Sequence, residues 1–123
     1  MPTEPEILTL SAAARRAAEV VDPDGADALV GEWLERFEDR DEPITVVEDL
    51  ETHVAELTGA IDPQGEDPAL VVAGAIVTYL GHRRDGAGQP DDRLLRLAAD
   101  AELSDAPEPV RDWLADAGLP EPA

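Results

Sequence analysis

From Ala69 to Gly81 the chain carries no charge, and Leu70, Val71, Val72, Ala73, Ala75, Ile76, Val77, Tyr79 and Leu80 leave no polar side to a helix built from it. Asp67-Pro68 is an entry signal: aspartate caps the first free amides, and proline has the backbone angle of a first helical turn and no N–H to waste. The spacing predicts a helix over about 69–80 that is apolar on all sides, and such a helix is stable only when neighbours surround it. Gly81 reads as its exit, and Gly74 inside it costs about 1 kcal/mol of propensity relative to alanine. A buried strand is the rival for so valine-rich a run. The Asp-Pro entry and the length favour the helix.

Other helices are needed to cover it, and the punctuation supplies them. Ser11 to Val21 reads as an alanine-rich first helix with Ser11 as N-cap, stopped by Asp22-Pro23. Leu29, Val30, Trp33, Leu34 and Phe37 give a second helix at three- and four-residue spacing, ending before Pro43. Thr45 to Glu48 matches a capping box, in which the threonine and glutamate cap each other's amides. From there Val47, Leu50, Val54, Leu57 and Ile61 form a stripe closed by Gly59 as a left-handed stop. Ile44 to Val47 is the one alternative strand, with no second β-rich run to pair with. Leu94, Leu95, Leu97, Ala98 and Leu103 mark a fifth helix, and Val110, Trp113, Leu114 and Ala117 a short last one, ended by Gly118-Leu119-Pro120.

The fold expected is therefore all-α: a compact single-domain bundle of five or six helices around the Ala69 to Leu80 helix. Residues 1–10 read as a flexible acidic N-terminal segment, 11–119 as the helical domain and 120–123 as a tail. A length of 123 residues suits one domain. Leu, Ile, Val and Phe number 29, enough for a core despite the charge. The aromatics are few, so the packing must be aliphatic.

The chain has 29 acids against nine bases, a formal net charge of -20. Every base is arginine, and lysine and asparagine are absent. A GC-rich genome explains the two absences but not the excess of acid. The composition resembles that of proteins from salt-in halophiles, above all haloarchaea, where carboxylates hold water at the surface in multimolar salt; an acidic actinobacterial protein is the competing source. At 1 M salt the Debye length is about 3 Å, so the repulsion among such charges is largely screened. In that setting the charge is a background property and says little about partners.

Cysteine is absent, which excludes disulfides, thiolate metal sites and a cysteine nucleophile. The N-terminal residues lack the basic and apolar segments of a secretion signal, and the apolar run is shorter than the roughly 20 residues a bilayer needs. A soluble cytoplasmic protein is expected.

Against this acidity, His82, Arg83 and Arg84 stand out. They follow the apolar helix, where cations complement its negative end by about 0.3–1 kcal/mol. Arg93 and Arg96 are placed to join them, giving an arginine-rich edge able to fork onto phosphate or carboxylate. Gly86-Ala87-Gly88 is not a phosphate loop, because no Lys-Ser/Thr follows and a helix rather than a strand precedes it.

His53 shares a helical face with Asp49 and Glu56 at i, i+4 and i+7, a three-ligand metal pattern on a single helix. No second helix offers the Glu-x-x-His partner of a di-metal bundle. His-Asp phosphohydrolase chemistry lacks its dipeptide, since Val54 follows His53 and Arg83 follows His82. Ser11 and Ser104, the only serines, sit at apparent helix starts. The sequence therefore points to a protein with no catalytic residue, cofactor or metal: a small adaptor, regulatory or interaction domain whose partner is another protein. A nucleic-acid-associated regulator docking through the arginine edge is the alternative, and a metal-dependent enzyme a third.

Overall fold

The computed structural model describes residues 8–44, 47–63, 67–83, 89–103 and 108–116. They form six helices: α1 (Leu10–Val21), α2 (Ala28–Glu35), α3 (Leu50–Gly59), α4 (Pro68–His82), α5 (Asp91–Glu102) and α6 (Glu108–Asp116). The expected all-α bundle is what the chain adopts, with no strand among the described residues beyond one isolated bridge between Thr9 and Pro43.

The apolar helix is the axis. α4 packs against all five other helices, and Leu70, Val72, Ala73, Ile76, Val77 and Leu80 are fully enclosed. Each fully buried Leu, Ile or Val contributes about 1.5–3 kcal/mol relative to exposure, so the driving force concentrates on this one element. Its entry is the one the sequence announces: the Asp67 carboxylate accepts from Ala69 N at 3.0 Å, and Pro68 occupies the first turn.

Gly81 is not the exit. The helix continues through His82 to a C-cap at Arg83, because Gly81 serves another purpose: a Cβ there would collide with Leu50 Cδ2. At Gly74 a Cβ would meet Val54 Cγ1 at 3.3 Å. The two glycines thus let α3 press closely onto α4.

α1 begins at Leu10 with Thr9 as its N-cap, whose hydroxyl accepts from Ala12 N at 3.1 Å. Ser11, the expected cap, lies inside the helix and is buried, its hydroxyl 3.1 Å from that of Thr9. The start moves forward because the preceding residues are held. Ile44 N donates to Leu8 O at 2.8 Å, and Leu10 N to Glu42 O at 3.0 Å. α1 stops at Asp22 as expected.

α2 is capped by Asp27, which accepts from Leu29 N at 2.9 Å. It then tightens into turns bonded three residues apart, with Phe37 N donating to Leu34 O at 2.9 Å and Arg40 N to Phe37 O at 3.0 Å. These turns keep Phe37 buried beside Trp33, ring centroids 4.7 Å apart.

The third start differs most from expectation. Thr45 of the capping box lies outside the described residues, and the helix begins only at Leu50, after a left-handed Asp49 (φ 51°, ψ 46°) that makes no side-chain cap bond. Ile44, 2 % exposed and bonded to Leu8, belongs to the pairing with the N-terminal segment instead. Gly59 is the last residue of α3, not a left-handed stop; the C-cap, Ala60, is right-handed. Ser104, Ala117 and Gly118-Leu119-Pro120 fall outside the described residues.

Candidate functional site

The end of α4 and the start of α5 carry the arginine edge. His82 is the last residue of α4 and Arg83 its C-cap, whose N–H donates to Tyr79 O at 2.8 Å; both side chains are exposed. α5 starts at Asp91 behind Pro90 and packs back along α4. Arg93 therefore lies in the first turn of α5. Arg96 follows at i+3, on the same side of the helix. Both are exposed. Arg84 lies outside the described residues.

Among the described residues, three ion pairs form: Arg16 with Glu19 at 3.6 Å, Arg16 with Asp91 at 2.5 Å and Arg40 with Glu42 at 3.5 Å. Arg83, Arg93 and Arg96 enter none of them. Asp91, one of two acids that precede Arg93, is engaged by Arg16, which also donates to Gln89 O at 2.7 Å, while Asp92 is exposed. One arginine of α1 thus fixes the start of α5 and partly neutralises one acid next to the edge. Outside the ion pairs of the described residues, exposed guanidinium groups offer the planar donors that bidentate carboxylate or phosphate contact requires.

The His53 trio is not assembled: among the described residues no group of three His, Asp or Glu is placed to hold a metal. Asp49 precedes the helix with left-handed angles, so helical spacing does not extend to it. Asp49 and Glu56 are exposed, whereas the His53 Nε2 atom is sealed from solvent and has no hydrogen-bond partner.

The hydroxyls in and beside the core are occupied by structure: Ser11 Oγ, next to the Thr9 hydroxyl that caps α1, donates to Asp41 Oδ1 at 3.5 Å. Thr78 Oγ1 donates to Gly74 O at 3.0 Å. Thr58 Oγ1 donates to Val54 O at 2.8 Å and accepts from Trp33 Nε1 at 3.0 Å. Neither arrangement leaves a nucleophile beside a base.

One feature went unread in the sequence. A surface cleft of about 340 Å³ opens between the end of α1 and α2, lined in part by Arg15, Glu19, Asp22, Asp24 and Asp27. The signal was Asp22-Pro23-Asp24-Gly25-Ala26-Asp27, whose turn needs Gly25 at φ 66°. Its central carboxylates are already engaged: Asp22 accepts from Ala26 N and Asp27 N, both at 3.0 Å, and Asp27 caps α2. They order a loop and do not converge on a ligand.

No helix among the described residues is long and apolar enough to cross a membrane. No family model, curated protein or solved structure matches the chain, so the functional reading rests on the geometry of the arginine edge.

Proposed function

We propose that this chain is a small non-catalytic interaction protein, an adaptor or regulatory domain of a salt-rich cytoplasm, that meets a protein partner through the edge of His82, Arg83, Arg84, Arg93 and Arg96. The observation that carries the reading is the set of exposed arginines Arg83, at the C-cap of α4, and Arg93 and Arg96, in the first half of α5, outside every ion pair of the described residues, in a chain of net charge -20. Arg15, Arg36 and Arg111 are exposed too, but none has a second exposed arginine one turn away, whereas Arg93 and Arg96 stand at i and i+3 on α5. The non-catalytic reading is supported by the hydroxyls of Thr58 and Thr78, which are engaged by carbonyls of their own helices and, for Thr58, by Trp33 of α2.

The salt reading is supported by where the acids stand. No described carboxylate residue is buried. The half-buried Asp22, Asp27, Asp62 and Asp67 bond backbone amides at helix ends and turns. The exposed ones face water with few arginines to pair with.

A photo-crosslinking residue placed at position 96 of the intact chain, in its own cells, tests the proposal, with position 15 as the control. The expected result is one dominant protein adduct from position 96 that is absent from position 15 and lost on Arg83→Glu with Arg93→Glu. Adducts to nucleic acid would replace this reading with the regulator alternative. Equal labelling from both positions would remove the edge as a contact surface.

A further inference from the structure

Independently of any partner, we infer that α3 is a strap that lifts off the bundle as one unit while α1, α4 and α5 remain folded. Its seat is specific but shallow. Leu50 and Val54 settle over Gly81 and Gly74 of α4, yet Val54 is the one fully buried residue of the ten in α3, against seven buried residues in α1 and nine in α4. Elements with few buried apolar groups open at lower free energy than the core they rest on.

Three further features weaken the seated state. α1, α2 and α4 each begin with a side-chain cap, from Thr9, Asp27 and Asp67, whereas α3 begins without one, as α5 does, and does so at a left-handed Asp49. The His53 Nε2 atom is enclosed without a hydrogen-bond partner among the described residues, a penalty that opening relieves by returning it to water. Only the hydrogen bond from Trp33 Nε1 to Thr58 Oγ1 ties the side chains of α3 to those of α2 among the described residues. α3 also lies mid-chain, so a lifted strap stays tethered at both ends and reseats without diffusing away.

Native-state hydrogen exchange on the full chain in 2 M KCl, with small additions of urea, tests this. In the native protein, amides of residues 54–59 should exchange through an opening at least tenfold more populated than that serving 73–80, and with a smaller urea dependence, because less surface is exposed. Two variants separate local from global opening. Val54→Ala weakens packing that is broken in both openings, so protection should fall about tenfold in α3 and in α4 alike. Leu95→Val, on α5, weakens packing that stays in place when α3 alone lifts, so protection should fall roughly threefold to tenfold in α4 and stay unchanged in α3. If Leu95→Val lowers α3 and α4 protection together, or if both share one urea dependence in the native protein, α3 opens only with the whole fold and the inference is wrong.

Discussion

The hydrogen bonds joining Trp33, Thr58 and Val54 make a sharp test of what holds the bundle together. Trp33 is fully buried, and its indole N–H donates to Thr58 Oγ1 at 3.0 Å; the same hydroxyl donates to Val54 O at 2.8 Å. Thr58→Val keeps the side-chain shape and removes the hydroxyl, both as acceptor for Trp33 and as donor to Val54 O, a carbonyl that helix bonding also serves. The indole N–H is then buried without a partner, at a cost of about 1–3 kcal/mol. For a domain of this size, about 4 °C of Tm goes with each kcal/mol, so Thr58→Val should lower Tm by roughly 4–12 °C. Trp33→Phe costs packing area but leaves the Thr58 hydroxyl bonded to Val54, so it orphans no donor. In that background, Thr58→Val should cost no more than about 0.5 kcal/mol, giving a coupling of at least about 0.5–2.5 kcal/mol. Urea unfolding followed by circular dichroism at constant KCl measures the cycle; guanidinium would screen the charges and confound it. Equal costs for Thr58→Val in both backgrounds would show that Trp33 does not depend on this hydroxyl.

Four further outcomes are expected. Between about 0.05 M and 2 M KCl the melting temperature and helical signal should rise, mostly below 1 M where the Debye length has fallen to about 3 Å; a flat melting temperature would show that the exposed acids are too well spaced to matter. Asp67→Ala should cost about 1 kcal/mol by uncapping α4, whereas Asp49→Gly should be neutral or stabilising by about 0.5 kcal/mol, since glycine accepts the φ of 51° freely and no cap bond is lost; urea midpoints check both. Arg16→Ala should cost about 0.5–1.5 kcal/mol, because its side chain is 19 % exposed and holds both Asp91 and Gln89 O; a change below about 0.2 kcal/mol would place the start of α5 under other control. His53→Leu should raise stability by about 1 kcal/mol by removing an enclosed nitrogen with no partner, and a loss of stability on thermal melting would mean that the imidazole has an acceptor after all.

What the sequence made legible was what short-range chemistry decides. Asp67-Pro68 ahead of an uncharged run specifies a capped, fully enclosed helix, and α4 is that helix. Asp22-Pro23 ends α1 because the residue before proline leaves the helical region. The misreadings share one cause, a partner distant in sequence. Thr45 to Glu48 has the form of a helix start, yet Ile44 is drawn to Leu8, 36 residues away, and α3 forms only after Asp49 turns the chain. Gly81 looked like punctuation because nothing nearby shows that Leu50 needs the space. The Asp49, His53 and Glu56 pattern assumed one continuous helix and failed where that helix had not yet begun. Of the arginine edge, Arg83, Arg93 and Arg96 were legible in the sequence as exposed cations, but not that Arg16 would occupy Asp91, 75 residues away.

The positive cluster and the acidic chain are reconciled by the range of the forces involved. In dilute buffer a charge of -20 would repel an acidic partner long before contact. At 1 M salt, where the Debye length is about 3 Å, that field ends within one water layer and steering disappears for either sign. What survives is recognition at contact, where guanidinium forks bond carboxylate or phosphate in fixed geometry. Such an edge needs its arginines outside internal ion pairs, as Arg83, Arg93 and Arg96 are among the described residues. It also needs a fixed backbone beneath them, and here the C-cap bond of Arg83 to Tyr79 and the grip of Arg16 on Asp91 and Gln89 provide it. In such salt the proposed edge would act through short-range, shape-dependent contacts rather than through long-range attraction. The proposed partner is accordingly recognised by the placement of its acids rather than by their number.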